Sequence, residues 1–178
     1  MRIFNIGGNP CRWSVLFLAT VLFLASQYAV GADPAGNIPA TTAPDFVLKN
    51  SSGQNIRLRE LRGHVVMINF WATWCGPCRD EMPKLEQLYR QYLGAGFTVI
   101  GVNIDDNRDN AIGLSKKLGV SFPILFDKDK QVSKLYKVDA MPSSVLIDRD
   151  GKLRYLHRGY KPGYEISYQS EVRALLKE

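Results

Sequence analysis

The residues with the most chemical potential are two cysteines three apart, in the run Trp74-Cys75-Gly76-Pro77-Cys78. They lie where a nearly continuous apolar stretch, residues 65–70 (VVMINF), gives way to residues spaced as on one face of a helix: Met82, Leu85, Leu88, Tyr89 and Tyr92. A spacing of i, i+3 puts both sulfurs on one face of the first helical turn, so the two can bridge. Unpaired backbone N–H groups and the positive end of the helix dipole favour an anion there, which lowers a thiol pKa from its reference of about 8.5. The benefit falls mainly on Cys75, nearest the helix end, while Cys78 is expected to be more buried and to stay a thiol until needed. Such a pair performs disulfide exchange. Cys75 thiolate attacks a partner's disulfide, a mixed disulfide forms, and Cys78 displaces it, leaving Cys75 and Cys78 oxidised.

Two plainer uses of the pair weigh less. A purely structural disulfide closing so short a loop removes little entropy from the unfolded chain. Half a zinc site needs a second ligand pair, and the chain offers only one further cysteine, Cys11, and two histidines, His64 and His157, at no metal-ligand spacing. No metal site is expected. A C-x-x-C beside a strand–helix–strand pattern points to redox chemistry instead.

The elements that must hold the pair follow from the hydrophobic pattern. Residues 65–70 predict a strand buried on both faces, and residues 97–104 (FTVIGVNI) a second central strand. Between them a helix is predicted from residue 75 to about 92, and after them another at 111–118. Strand, helix, strand in this order implies a parallel crossover and an α/β sheet with helices packed on it. Residues 46–48 and 56–58, around Asn50-Ser51-Ser52-Gly53, predict a short N-terminal hairpin. Residues 144–147 and 153–160 flank Asp148-Arg149-Asp150-Gly151-Lys152 and predict an antiparallel pair, with residues 165–177 as the closing helix. The 178 residues, 46% hydrophobic and 11% aromatic, suit one domain with a real core and exclude a disordered chain.

Ahead of that domain, residues 33–42 (DPAGNIPATT) read as a linker and residues 1–32 as an export segment. The segment has Arg2 and Arg12 but no acid, an apolar run at 13–25, and the small residues Val30, Gly31 and Ala32. Cleavage after Ala32 makes it a signal peptide; retention makes residues 13–32 a membrane anchor, the chain's only membrane contact. Cys11 precedes the apolar run, so no lipid anchor follows. Removing the segment lowers the formal net charge from +6 to +4, with basic residues scattered among acids, and no nucleic-acid partner is expected. The product is extracytoplasmic or periplasmic, soluble or tethered, and in that oxidising compartment Cys75 and Cys78 are the only cysteines left after cleavage.

Several motifs surround the cysteines: Ala43-Pro44-Asp45-Phe46, Asn69-Phe70-Trp71-Ala72-Thr73-Trp74-Cys75, and a C-x-x-C-x-x-E-x-P extension that ends in Glu81 and Pro83. Together they resemble the thioredoxin superfamily, and within it the exported TlpA/ResA-like branch, over residues 43–178. The resemblance implies a thioredoxin-like α/β fold, a central mixed β-sheet flanked by helices, with an N-terminal β-hairpin and a central insertion. Pro83 would kink the active-site helix. Met141-Pro142 stands where the family has a cis-proline loop opposite the cysteines, although an X-Pro bond taken alone is usually trans. That loop would offer the Met141 backbone to an extended client peptide, with Trp74, Met141 and Pro142 as the binding surface and Gly76 and Pro77 supporting the couple.

The departures from the family pattern concern the acid that serves the second cysteine. Thioredoxin carries a buried Asp six residues before its first active-site cysteine, and this chain has Asn69 there, an amide that cannot act as a base. Asp105 or Asp106 stands about where the exported branch supplies an acid, although loop solvation or helix capping is the plainer reading of both. Glu81 is a further candidate, set against the rule that an exposed helical acid is usually only solvated. His64, His157, Lys116 and Lys117 are expected on the surface.

The function implied is an exported thiol:disulfide oxidoreductase that needs no cofactor. Gly-Pro between the cysteines is the thioredoxin dipeptide, which argues for a reductant of protein disulfides recharged by a membrane electron donor. The client class implied by the resemblance is apocytochrome c, its thiols kept reduced for haem attachment, or another dedicated protein. A thiol peroxidase is the alternative within redox chemistry, although Thr73-Trp74-Cys75 does not give the peroxidatic T-x-x-C. A thioredoxin-fold module that binds metal or peptide without turnover is the alternative outside it.

Overall fold

The computed structural model describes residues 36–178, and the expected export segment, residues 1–32, lies outside them. Gly36–Asn37 forms β1, Val47–Lys49 β2, Asn55–Arg57 β3 and Val65–Trp71 β4; helix α1 (Gly76–Tyr92) leads to β5 (Phe97–Asn103). Then come α2 (Arg108–Lys117), β6 (Ile124–Phe126), α3 (Gln131–Leu135), β7 (Ser143–Ile147), β8 (Leu153–Arg158) and α4 (Tyr164–Leu175). Six strands make one mixed sheet in the order β1-β8-β7-β4-β5-β6, and β2 and β3 pair apart from it as the expected hairpin. β5 lies parallel to β4 and β6 parallel to β5, whereas β7 runs antiparallel to β4 and β8 to β7.

Every residue of β4 is buried, so both faces of the sheet's centre must be covered. Side-chain alternation sorts the cover. Val65, Met67 and Trp71 pack with Met82, Leu85 and Leu88 of α1 and with Tyr168, Val172 and Leu175 of α4. Val66, Ile68 and Phe70 pack on the other face with Phe46, Leu58, Val132 and Ile147. The parallel β4–α1–β5 crossover is the unit that carries Cys75 and Cys78, since the chain leaves β4 at its C-terminal end and turns directly into α1.

Element boundaries shift for local reasons. α1 starts at Gly76 because Cys75 is its N-cap, with extended backbone at φ −84° and ψ 108°. α2 begins three residues earlier than the pattern predicts, because the Asn107 side chain accepts hydrogen bonds from the backbone N–H groups of Asp109 and Asn110. Between β5 and β7 the chain forms α2, β6 and α3, and β6 extends the sheet edge. Part of the stretch read as a linker is paired: Gly36 and Asn37 lie opposite Leu156 and Tyr155 of β8, and Thr42 bridges Lys152. No helix among the described residues is long and apolar enough to cross a membrane.

One glycine shows how closely this core is filled. A Cβ on Gly101 of β5 would lie 2.8 Å from Ile124 Cδ1 and 3.1 Å from both Phe122 Cε2 and Trp71 Nε1. Gly101→Ala is therefore expected to destabilise the fold by about 1–3 kcal/mol, seen as a lower urea midpoint at unchanged slope. An unchanged midpoint would mean that these three side chains yield freely.

Candidate active site

Cys75 and Cys78 are joined by a disulfide, with Cα atoms 5.3 Å apart. The turn before the helix is fixed by the Cys75 N–H, which donates to Ala72 O at 3.2 Å. Cys75 Sγ in turn accepts from the Cys78 N–H at 3.2 Å, so the sulfur itself caps the helix. Pro77 occupies the first turn, where its missing N–H costs nothing. Cys75 is 5% exposed and Cys78 fully buried, the order the sequence predicts. Beside them Trp74 is 66% exposed, Pro77 is exposed and Gly76 half-buried.

The Met141–Pro142 bond is cis, as the resemblance implies. Pro142 is buried and its carbonyl accepts from Gly159 N–H at 2.7 Å, which ties the loop to the end of β8. Met141 is half-buried and packs against the same apolar cluster that contains Cys75 and Cys78.

The candidate acids separate sharply. Asp106 is exposed and 3.7 Å from Lys130 Nζ, a solvated ion pair. Asp105 is buried, and it neither caps α2 nor faces solvent, contrary to the plainer expectation. Its carboxylate accepts from the Thr73 backbone N–H at 2.9 Å and from Asn103 Nδ2 at 2.9 Å, so it holds the strand-to-helix approach to Cys75 in place.

Glu81 departs most from the expected exposed acid, because it is completely buried. α1 turns it inward, on the face that packs against the sheet, one turn after Cys78. Its Oε2 accepts from Asn69 Nδ2 at 2.7 Å, and its Oε1 from the Tyr168 hydroxyl at 2.7 Å and the Ser144 hydroxyl at 3.2 Å. Burial pushes the carboxyl from its ordinary 4.5 up to about 7, against the pull of the hydrogen bonds from Tyr168, Asn69 and Ser144 and the charge of His157. Tyr168 is itself raised, first by burial and then by the Glu81 charge, and so stays a phenol that donates.

The donors to Glu81 escape a reading of the sequence. Asn69 of β4 lies opposite Ser144 of β7, and Ser144 opposite His157 of β8, so one row across the sheet is polar throughout, next to the apolar row of Ile68, Val145 and Leu156. Neither Ser144 nor Tyr168 is marked by any motif. The signal is a strand position, Asn69, at which a polar residue interrupts the apolar run VVMINF. His157, expected on the surface, is 1% exposed and 2.7 Å from Glu171 Oε2. His64, Lys116 and Lys117 are exposed as expected.

The Cys75–Cys78 disulfide sits at the start of the helix that follows the central strand, and Met141 of the cis-proline loop packs on the same apolar cluster. Thioredoxin-fold thiol–disulfide oxidoreductases carry their redox pair in this setting, and the chain is an enzyme of that class. It belongs to the AhpC/TSA family, whose profile matches residues 39–156. It is 40% identical over 164 residues to the thiol-disulfide oxidoreductase ResA of Geobacillus thermodenitrificans, covering 88% of this chain and 94% of that one. Against the ResA of Bacillus subtilis the identity is 34% over 139 residues, 78% of each chain. Among solved structures, one from Chlorobium tepidum assigned to thiol:disulfide interchange protein DsbE superposes with a TM-score of 0.75 at 36% identity, covering 79% of this chain and 99% of that one.

The raised Glu81 carboxyl has a consequence for stability. Its folded pKa of about 7 exceeds its ordinary 4.5, so between these values the folded state holds a proton that the unfolded state releases. Stability contributed by this group is complete below about pH 4.5 and is lost as pH rises through 7, by about 3 kcal/mol in all. Asp45, Glu86, Glu165 and Glu178 are shifted downward, so their losses come only at more acid pH. Urea unfolding of the disulfide form is expected to show a decline from pH 5 to pH 8 that is absent in Glu81→Gln. An equal decline in both proteins would refute the assignment to Glu81.

Proposed function

We propose that this oxidoreductase reduces protein disulfides outside the cytoplasm, with Cys75 as nucleophile, Cys78 as resolving thiol and Glu81 as the acid that takes the Cys78 proton. The observation that carries the reading is the succession along one helix of a capping sulfur, a buried sulfur one turn in, and a buried carboxyl one turn further with a pKa near neutrality. A carboxylate of ordinary pKa is a weak acceptor for a thiol proton, and raising it to about 7 narrows the mismatch.

In the reduced enzyme, Cys75 thiolate attacks one sulfur of a client disulfide. That S–S bond breaks, the first client sulfur leaves as a thiolate, and Cys75 is joined to the second. Cys78 loses its proton to Glu81 and attacks Cys75 Sγ, which releases the second client sulfur and closes Cys75–Cys78. The client disulfide gains two electrons and two protons in becoming two thiols, and the enzyme dithiol supplies the electrons. A membrane-bound dithiol donor then restores Cys75 and Cys78. The client lies as an extended strand against the Met141 backbone, with Trp74 and Pro142 beside it. Residues 1–32 deliver the domain, residues 43–178 behind the linker 33–42, to that compartment as a cleaved signal or a retained anchor. Apocytochrome c awaiting haem is the client class that the family resemblance favours. Asp105 supports the site by holding Thr73, while Asp106 takes no part.

Direction is tested by the reduction potential of the Cys75/Cys78 couple. The Gly76-Pro77 dipeptide supports a potential on the reducing side of about −180 mV, the isomerase value, and nearer the thioredoxin value of about −270 mV. A more oxidising potential would reject the reductant. Roles are tested by substitution in the native host. Cys78→Ser is expected to accumulate mixed disulfides whose partner identifies the client, and Cys75→Ser to trap nothing. The reverse pattern would exchange nucleophile and resolver, and rapid peroxide consumption by the reduced enzyme would favour a peroxidase instead.

A further inference from the structure

The polar row across the sheet continues past the groups that touch Glu81. His157 of β8 lies directly opposite Ser144 in the β7–β8 register, and its Nε2 is 2.7 Å from Glu171 Oε2 of α4. Its ring meets the Tyr168 ring edge-on, with centroids 4.7 Å apart and planes at 76°. Ser144 and Tyr168 are the two hydroxyls that donate to Glu81 Oε1, at 3.2 and 2.7 Å. One imidazole thus stands behind both donors to a single carboxyl oxygen. The disulfide exchange described above uses neither His157 nor Glu171. A buried, paired ionisable couple is also costly to desolvate, and well-packed apolar residues of the same volume would often serve stability as well or better. Its presence in this layer asks for a role other than packing.

We propose that His157, oriented by Glu171, is a positioning residue for Glu81: it fixes the Tyr168 and Ser144 hydroxyls on Oε1 and thereby sets how readily Glu81 takes the Cys78 proton. The proposal rests on the reading of Glu81 as the acid that serves Cys78. The connection runs from Glu171 to His157 by hydrogen bond, from His157 to Tyr168 by ring contact and to Ser144 by strand register, and from both hydroxyls to Glu81, and it joins α4, β8 and β7 to α1. The titratable groups around Glu81 are Cys78 on its own helix, His157 on β8, Tyr160 in the loop after β8, and Tyr168 and Glu171 on α4. The charge of His157 is among the influences that hold the Glu81 carboxyl down against burial, so its loss should move that carboxyl to higher pH.

The test follows the resolving step directly. Reduced full-length protein carrying Cys11→Ser, so that Cys75 and Cys78 are its only thiols, is mixed with 5,5′-dithiobis(2-nitrobenzoate). Cys75 takes up one thionitrobenzoate and releases another, and Cys78 then displaces the first, so the second release reports attack by Cys78. Its rate is measured against pH for the wild type, His157→Phe, Glu171→Gln, Glu81→Gln and each double variant with Glu81→Gln. His157→Phe is expected to move the profile to higher pH and Glu171→Gln to displace it, each changing the rate at neutral pH by about threefold or more. Neither should move it when Glu81 is already Gln, the signature of coupled sites. A purely structural role would give equal effects in both backgrounds, and that result overturns the proposal. If Glu81→Gln shifts the profile while His157→Phe and Glu171→Gln do not, positioning by His157 is wrong and Glu81 stands. If Glu81→Gln itself leaves the profile unchanged, the reading of Glu81 fails and this proposal with it. Glu171→Gln changes neither size nor shape, so it decides the matter should His157→Phe not fold.

Discussion

The Glu81 carboxyl sits on α1 and accepts hydrogen bonds from β4, β7 and α4, so four elements converge on one buried acid. Carrying a carboxyl out of water without partners costs several kcal/mol, and each element that supplies a donor reduces that cost. The demand is strict in direction as well as number. α1 must present its inward face at the height of Asn69, β7 must be in register to bring Ser144 opposite Asn69, and α4 must bring Tyr168 over the same point. The apolar clusters on this face supply most of the packing energy, but they tolerate exchange among similar side chains. The polar contacts around Glu81 do not, and they specify how α1 and α4 are set against the sheet.

The cysteines inherit their geometry from that arrangement. β4 is buried on both faces and cannot shift by a residue without reversing its two clusters, so the point at which the chain leaves it is fixed. Asp105 then holds the Thr73 N–H, the Ala72 carbonyl receives the Cys75 N–H, and Cys75 caps the helix. The cap is made by the reactive atom itself. In the disulfide form Cys75 Sγ accepts from the Cys78 N–H, and the same donor is available to stabilise a Cys75 thiolate when the bond is open. Strand register, loop anchor and helix end therefore act in series on one sulfur.

Much of this was legible in the sequence because it is local. The C-x-x-C, the VVMINF run and the helical spacing after it lie within three dozen residues, and each carries its period in the residues themselves. The cis bond at Pro142 and the paired hairpin β2–β3 followed from motif resemblance and turn residues. β6 and α3, three and five residues long, are too short to declare a period. The burial of Glu81 and His157 was illegible for a different reason. An acid on a helix and a histidine on a strand look solvated until register and packing bring Asn69, Ser144, Tyr168 and Glu171 to them, across separations of 12, 63 and 87 residues for the groups that reach Glu81. Asp105 was misread in the same way, since its partner Thr73 is 32 residues away.

The exchange of acid and amide between strand and helix follows from these contacts. Where thioredoxin has a carboxyl on the central strand, this chain has Asn69, and the amide donates to a carboxyl carried by α1 instead. Placing the acid on the helix ties its distance from Cys78 to one helical turn, a separation set by backbone hydrogen bonds and insensitive to small movements of helix against sheet. The sheet's task then changes from supplying the acid to supplying its donors. A sheet row of Asn69, Ser144 and His157 can tune the acid through hydrogen bonds without altering the distance between acid and thiol. With the roles proposed above, reactivity and tuning fall to different elements: the thiols and the acid to α1, and the contacts that hold the acid to β4, β7, β8 and α4.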